Sequence, residues 1–480
     1  MALSWTLILV ALSVLVLRYV RRSRDALPLP PGPGSAFPML GHLLVMPLQH
    51  ESLTYQRWSR QLGSDVICLR VLGRHMIILN SIRAVTDLLE GKAAIYSDRP
   101  RLYALKELIG LQWLYGLMPY GKPFLDVRKA ASKYLHPEPI KQYRPLQHAA
   151  VSRCLSDIQR SPDDFAQHFT LLAGHTILGV AYGIEPSLKD AYLKNVNMAV
   201  EGLRLGLSPR ALLYDLLPIT QWLPDWLPGL GVKKEAQKYI KHTTELPELP
   251  LQATRAAMEK GTAPTSMAAS MLADNELGYD VVRSVTGSLY FVPLHSSVLK
   301  IIQIVATLSN FLLAMLKYPS TQVKAQAEID AHLQHTRLPS LGGGPATPLA
   351  TPHALTADDT YRGMRLPKDA IVIGNVHAIV HDPALVGPNP DTFDPERYLS
   401  GSPAKELDVL FGFGPRVCPG RHLARATIWL AVVSIPEEGE EVSDGYTEFT
   451  SGVVAAPLPF KCRIVPRAGA VEALRLAGEL

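Results

Sequence analysis

Apolar residues recur at helical spacing along most of the chain from about Leu53 onward. A clear case is Leu308 to Leu333, an apolar run followed by a polar amphipathic one, which predicts helix. Alternating patches are short. Val66 to Val71 and His75 to Leu79 flank L-G-R and predict a hairpin; Ala370 to Val376, after the turn-like L-P-K-D, predicts a further strand. The chain therefore reads as mainly α with a minor β portion. At its start, Met1 to Leu17 is uncharged and almost wholly apolar, Tyr19 and Val20 extend it, and Arg18, Arg21, Arg22 and Arg24 follow. A spanning helix needs roughly 20 residues, so 1–20 is expected to be a membrane anchor. The rival, a cleaved signal, would put its basic cluster before the apolar run and a small-residue site after it. Residues 21–36 hold the basic cluster and L-P-L-P-P-G-P-G-S, a stretch too rich in proline to stay helical. They read as a stiff hinge to a single body over 37–480.

Bulk composition narrows the function. Hydrophobic residues make up 47% of the 480, enough for a sizeable core. A net charge of +5 gives no basic stripe and so no case for nucleic acid. The four cysteines, Cys68, Cys154, Cys418 and Cys462, are scattered with no C-x-x-C, against a disulfide framework or a structural zinc site. Scattered thiols and basic residues after the anchor both put the body on the cytoplasmic side. There is no G-x-S-x-G and no H-E-x-x-H to support a hydrolase.

The chemistry concentrates in Phe411 to Ala424, F-G-F-G-P-R-V-C-P-G-R-H-L-A. Gly412, Gly414 and Gly420 permit backbone conformations other residues resist and let the loop approach a flat ligand. Cys418 precedes an amphipathic helix opening at Gly420 and running to about Ile435, so its thiolate would face the positive end of the dipole. Arg416 can reach an anionic group as a charged donor. The bland alternative is a buried free cysteine in a glycine-rich turn.

The pattern F-x-x-G-x-R-x-C-x-G resembles the haem loop of the cytochrome P-450 superfamily. The anchor, the hinge, Y-S-D-R-P at Tyr96 to Pro100 and P-D-T-F-D-P-E-R-Y at Pro390 to Tyr398 resemble its fungal microsomal members. The resemblance implies a triangular, mainly helical fold and a haem-thiolate monooxygenase that puts one oxygen atom from O2 into an apolar organic substrate, in secondary metabolism or detoxification. It implies heme b with Cys418 as iron ligand, and electrons from an NADPH-dependent cytochrome P-450 reductase. The location it implies is the endoplasmic reticulum membrane, in contact with membrane lipid. Phe411, Gly414 and Gly420 fall in the haem loop, and Arg416, His353 and Arg128 are similar to propionate contacts. Pocket candidates are Leu102 to Phe124, Val200 to Leu217 and the segment near Phe291.

Four departures qualify this. The Glu-x-x-Arg helix that should partner Arg397 is missing from Thr336 to Thr356, and Gly342 to Gly344 marks where about twenty residues would be lost. The oxygen-activating segment is replaced after Gly287 to Phe291 by text containing Pro293. His295, Ser296 and Ser297 fall nearest the proton-relay positions there, though incidental polar residues explain them as well. The clamp pattern W-R-x-x-R reads F-L-D-V-R from Phe124 to Arg128, so one charged contact is lost. The text after Ile435 is short. Dropped exons near Gly342 and Ile435 and an intron read through near Val292 would account for three of these; the alternative is an impaired or non-catalytic family member.

Overall fold

The computed structural model describes residues 27–34, 36, 37, 39–185, 191–227, 230–291, 303–331, 347–398, 406–434, 449, 450, 457, 458, 460 and 464. Helices dominate. The longer ones are α1 (Glu51–Leu62), α2 (Lys122–Leu135), α3 (Arg144–Arg160), α4 (Phe165–Tyr182), α5 (Ala191–Gly206), α6 (Pro209–Leu216), α7 (Val232–Glu245), α8 (Glu248–Glu259), α9 (Tyr279–Phe291), α10 (Gln303–Lys317), α11 (Pro319–Ala331) and α12 (Arg421–Ser434). The strands are β1 (Val66–Val71), β2 (Arg74–Leu79), β3 (His353–Ala354), β4 (Asp359–Tyr361), β5 (Met364–Leu366) and β6 (Ile371–Gly374).

The predicted hairpin forms. Val66 pairs with Leu79 and Val71 with Arg74, leaving a two-residue turn at Leu72 and Gly73. Both turn residues have positive φ, +48° and +80°, the twist that suits a tight hairpin. β6 then joins β2 in parallel and β3 joins β6 antiparallel, giving the order β1-β2-β6-β3. Side chains alternate across this sheet as a period of two requires. Val66, Cys68, Ile77 and Leu79 enter one core cluster, and Ile67, Leu69, Val71 and Ile78 another. The first cluster includes Phe413, so one face of the sheet is the floor on which the cysteine loop rests.

The helical stretch expected from Leu308 to Leu333 is broken in two. Pro319, which lacks an amide hydrogen, sits at the first position of α11, and Tyr318 before it packs on Phe393 with centroids 4.8 Å apart. α4 is buried nearly all round, with residues such as Phe169, Leu172 and Ile177. Its neighbours α3, α9 and α10 pack about it. α12 spans Arg421 to Ser434, matching the expected helix after Gly420 to within a residue or two.

Several expectations fall outside the described residues: the anchor 1–20, residues 21–26 and 35 of the hinge, Pro293, His295, Ser296 and Ser297, the Gly342 to Gly344 region, and Cys462. Among the described residues no helix is long and apolar enough to cross a membrane.

Candidate functional site

The cysteine loop is held from below by sheet and from the side by cations. Phe413 is buried against β6, so closely that a Cβ on Gly374 would lie 2.7 Å from its ring. Gly414 has φ +49°, and a Cβ there would meet the Leu89 carbonyl oxygen at 2.7 Å. Neither fault can be relieved by a side-chain rotation. Gly414→Ala is therefore expected to cost about 1–3 kcal/mol, read as a lower thermal midpoint. A transition unchanged within about 0.5 kcal/mol would show that the loop is not pinned there.

Within the loop, amides of Arg416 and Val417 donate to the carbonyls of Phe413 and Gly414, and the Cys418 amide donates to the Phe411 carbonyl at 2.7 Å. Phe411 braces the loop in a second way: its ring lies under the Arg425 guanidinium, 4.7 Å from the centroid. Arg421 donates to the Cys418 carbonyl at 3.3 Å. Arg128, from α2, donates to the carbonyl of Val417. Burial pushes the Cys418 thiol up, while the amides of Gly420 and Arg421 and the charges of Arg128 and Arg421 pull it back toward thiolate. Gly420 opens space beside the sulfur. A Cβ there would sit 3.9 Å from Cys418 Sγ and 3.6 Å from Leu289 Cδ1, which puts Leu289 of α9 across from the sulfur.

Arg416 is buried and its donors fan out. Nε reaches the Ser97 carbonyl at 2.8 Å, and the other two nitrogens reach those of Met118 and Tyr115 at 2.7 and 3.5 Å. Its guanidinium lies 3.7 Å from the centroid of Phe124. The sequence counted Phe124 as part of a lost clamp. In place it is fully buried and forms the face on which Arg416 lies, while Leu125 beside it is 44% exposed.

One residue given no role by the sequence belongs here. Arg99, within the Y-S-D-R-P stretch, is 8% exposed and donates to the carbonyls of Gly116, Thr351 and Pro352 at 2.7 to 2.9 Å. The signal available in the sequence was only the Y-S-D-R-P stretch itself, where the charged Asp98 and Arg101 flank Arg99. Burial pulls Arg99 to about 9 and Arg416 to about 10, so both stay cationic at neutral pH. His353 is 2% exposed and its Nδ1–H donates to the Tyr96 carbonyl at 2.8 Å. Burial, then the charge of Arg99, pulls it to about 3, which leaves it a neutral imidazole with Nε2 unprotonated.

Residues 95–99 form a strap that gathers these groups. Ile95 and Asp98 carbonyls accept the amides of Thr356 and Ala354 at 2.9 and 2.8 Å. The Tyr96 hydroxyl donates to Asp359, which also accepts Lys92 at 2.7 Å. Opposite the strap, Trp113 packs edge-on against Phe291 at 5.8 Å and donates to the Thr243 carbonyl. The candidate pocket segments do come together. Leu105 and Ile109 lie so close to α5 that Cβ atoms on Gly206 and Gly202 would crowd them, and Tyr103 stacks on Tyr214.

Arg397 is half-buried, and of the interval expected to hold its Glu-x-x-Arg partners, 336–346 lies outside the described residues. Its guanidinium donates to four backbone carbonyls, those of Asp394, Val386, Asn389 and Thr392, at 2.9 to 3.1 Å. Neutral acceptors thus take four of the five N–H donors of the fork.

Among the described residues, Arg99, Arg128 and Arg416 form no ion pair, and their acceptors are neutral carbonyls. Cations around a thiol that donate to carbonyls rather than carboxylates, one of them lying on an aromatic ring, suit a flat ligand that carries carboxylates at one edge and a metal that prefers sulfur.

Comparison with known proteins agrees with this arrangement. The family model described as Cytochrome P450 matches residues 30–342 and 344–436. Cytochrome P450 monooxygenase claR of Ampulloclitocybe clavipes is 34% identical over 488 residues, covering 94% of this chain and 89% of that protein. Cytochrome P450 monooxygenase 98 of Postia placenta is 33% identical over 501 residues, covering 96% and 95%. Tryptamine 4-monooxygenase of Psilocybe cyanescens is 32% identical over 490 residues, covering 94% of each. An aligned span of 501 exceeds the 480 residues of this chain, so that relative carries residues within the match that this chain lacks.

Proposed function

The chain belongs to the cytochrome P450 family of haem-thiolate monooxygenases, and on that premise we propose that Cys418 is its iron ligand and that Arg99, Arg128 and Arg416 receive the carboxylates of heme b. His353 does not join them as it stands, because its one N–H is held by the Tyr96 carbonyl and a bare Nε2 cannot donate to a carboxylate. The observation that carries this is the set of guanidinium groups around the Cys418 loop, buried for Arg99 and Arg416 and half-buried for Arg128, with carbonyls as their acceptors. Thiolate-ligated haem, when bound and supplied with electrons, activates dioxygen for insertion into an organic substrate. The chain's own residues do the rest. The loop amides and the charge of Arg128 favour the thiolate, and Gly420 places no side chain beside the sulfur. Leu289, Trp113 and Phe291 line an apolar side that keeps water from the reacting face. Relatives of fungal secondary metabolism, together with an apolar pocket wall, favour an apolar secondary metabolite as substrate. A reduced, carbon monoxide difference spectrum tests this: a Soret band at the thiolate-ligated position is expected, and its absence overturns the assignment.

The finer setting is part of the same proposal: a triangular body at 37–480, a spanning anchor at 1–20, a hinge at 21–36, the endoplasmic reticulum membrane, and an NADPH-dependent reductase as electron donor. An exposed apolar surface favours lipid contact. Met39 and Leu48 are 92% and 86% exposed, and Trp222 and Trp226 are 85% and 80% exposed. Met46, near the first pair in the chain, and Leu216, near the second, pack against the same hydrophobic cluster. Exposed tryptophans are suited to the bilayer interface, where an apolar ring and a polar N–H are both satisfied. In vesicles with lipids brominated near the headgroup, quenching of tryptophan fluorescence is expected to fall in the double variant Trp222→Phe, Trp226→Phe. Equal quenching in variant and parent would remove this surface from the membrane.

A second reading is that this chain is an incompletely joined form of an active enzyme. The family match breaks between 342 and 344 and stops at 436, beside the two places where blocks of sequence are short. Sequencing the transcript decides it. A transcript encoding all 480 residues as they stand rules out misjoining and leaves a diverged enzyme.

A further inference from the structure

The pocket wall from Leu102 to Met118 has an inner and an outer end. At the inner end the Tyr115 amide donates to Ser288 Oγ of α9 at 3.1 Å, and Arg416 holds the carbonyls of Tyr115 and Met118. Turn bonds carry the chain outward: the Leu114 amide donates to the Leu111 carbonyl and the Leu111 amide to the Leu105 carbonyl, both at 3.1 Å. The outer end is the single turn Ala104–Leu108.

That turn does not cap itself. The first amides of a helical turn have no partner within it, and a Ser, Thr, Asp or Asn just before it commonly supplies one. Arg101, Leu102 and Tyr103 stand there, and none carries a short side-chain acceptor. Leu102 is also held at φ +41°, a left-handed conformation that a leucine resists. The cap comes instead from Asp215 of α6, 112 positions away, whose half-buried carboxylate accepts the Tyr103 amide. Burial pushes that carboxyl up, while the amides of Tyr103 and Ala104 and the charges of Arg101 and Arg74 pull it back.

The other contacts of the outer end go to the same group of helices. Tyr103 stacks on Tyr214 of α6 with centroids 6.4 Å apart, and Thr243 of α7 donates to the Ile109 carbonyl. Cβ atoms on Gly206 and Gly202 of α5 would meet Leu105 and Ile109 at 2.6 and 3.2 Å. The outer wall therefore hangs on α5, α6 and α7, and Asp215 supplies its one tie through a carboxylate among the described residues.

We infer that Asp215 is a positioning residue that latches the outer wall of the pocket to α6, and that release of this latch sets how fast an apolar ligand reaches the haem. The latch stands on the contacts above; the ligand step rests on the haem assignment.

Asp215→Ala removes the acceptor. Asp215→Asn keeps the shape and one carbonyl oxygen, and decides on the same readouts if the alanine variant does not fold. Amide exchange followed by mass spectrometry is expected to run about tenfold faster at 102–111 in Asp215→Ala, with β1 and β2 unchanged. In the holoenzyme, stopped-flow binding of 4-phenylimidazole, read as a Soret shift, is expected to quicken by a similar factor in both association and dissociation. A gate changes both rates alike, so Kd stays within about twofold of the parent. Parent-like exchange at 102–111, or exchange raised equally in β1 and β2, overturns the latch. Faster local exchange with parent-like ligand rates makes Asp215 a structural cap alone and overturns the inference. A parent protein without the thiolate-type carbon monoxide band overturns the haem assignment instead, so the two failures are distinct.

Discussion

Cys418→Ser should keep the fold and lose the thiolate-type carbon monoxide band together with monooxygenation. The substitution replaces one sulfur by a smaller oxygen in a loop whose backbone is fixed elsewhere, by Gly414 under Leu89 and by the Cys418 amide on Phe411. Thermal stability of the haem-free protein should therefore move by no more than about 1 kcal/mol. The electronic consequence is far larger. A neutral hydroxyl does not push electron density onto iron as a thiolate does. Turnover should drop by well over the roughly 10–100-fold that loss of an outer-shell partner costs at a metal site. A variant with the parent spectrum would mean that Cys418 is only a buried thiol. The same result would leave the glycines around it without a chemical purpose.

Arg416→Ala should be the most damaging change to cofactor retention outside the ligand itself. The side chain donates to carbonyls of Ser97, Tyr115 and Met118 and covers the ring of Phe124. Deleting it leaves buried acceptors unpaired, at about 1–3 kcal/mol for each one that water cannot reach. It also removes a cation that an incoming carboxylate would meet. Haem content, read by pyridine haemochrome against protein, is expected to fall about tenfold, with a thermal midpoint lower by several degrees. Arg416→Lys should recover only part. A single ammonium cannot span three carbonyls on two segments, and it offers no planar face to Phe124. If the lysine variant matches the parent in both measurements, charge alone is what the site requires.

Local signals told most of the story of the site. The loop was legible because its glycines, arginine and cysteine lie within a few residues, and the hairpin because Leu72 and Gly73 separate two short alternating runs. Arg99 and Phe124 were not legible as partners. Arg99 earns its place through carbonyls of Thr351 and Pro352, and Phe124 through Arg416, pairings that only the folded chain makes. Arg397 was legible as a cation in need of partners, but not the backbone oxygens of its own neighbourhood that it meets. The run from Leu308 was read as continuous because periodicity carries across a proline that, in space, starts a new helix.

The cradle's connectivity also sets when it can exist. Arg99 donates to acceptors 252 and 253 residues further along, Arg416 to one 319 residues back, and Arg128 to one 289 residues on. None of these closures is local, and loops of that length close only after intervening elements have packed. A ribosome still carrying the segment before Phe411 holds a nascent chain with one half of the cradle and no ligand. Cofactor capture therefore belongs after translation, and a chain stopped even slightly short of Cys418 is a protein that can fold in part but has nothing with which to keep iron.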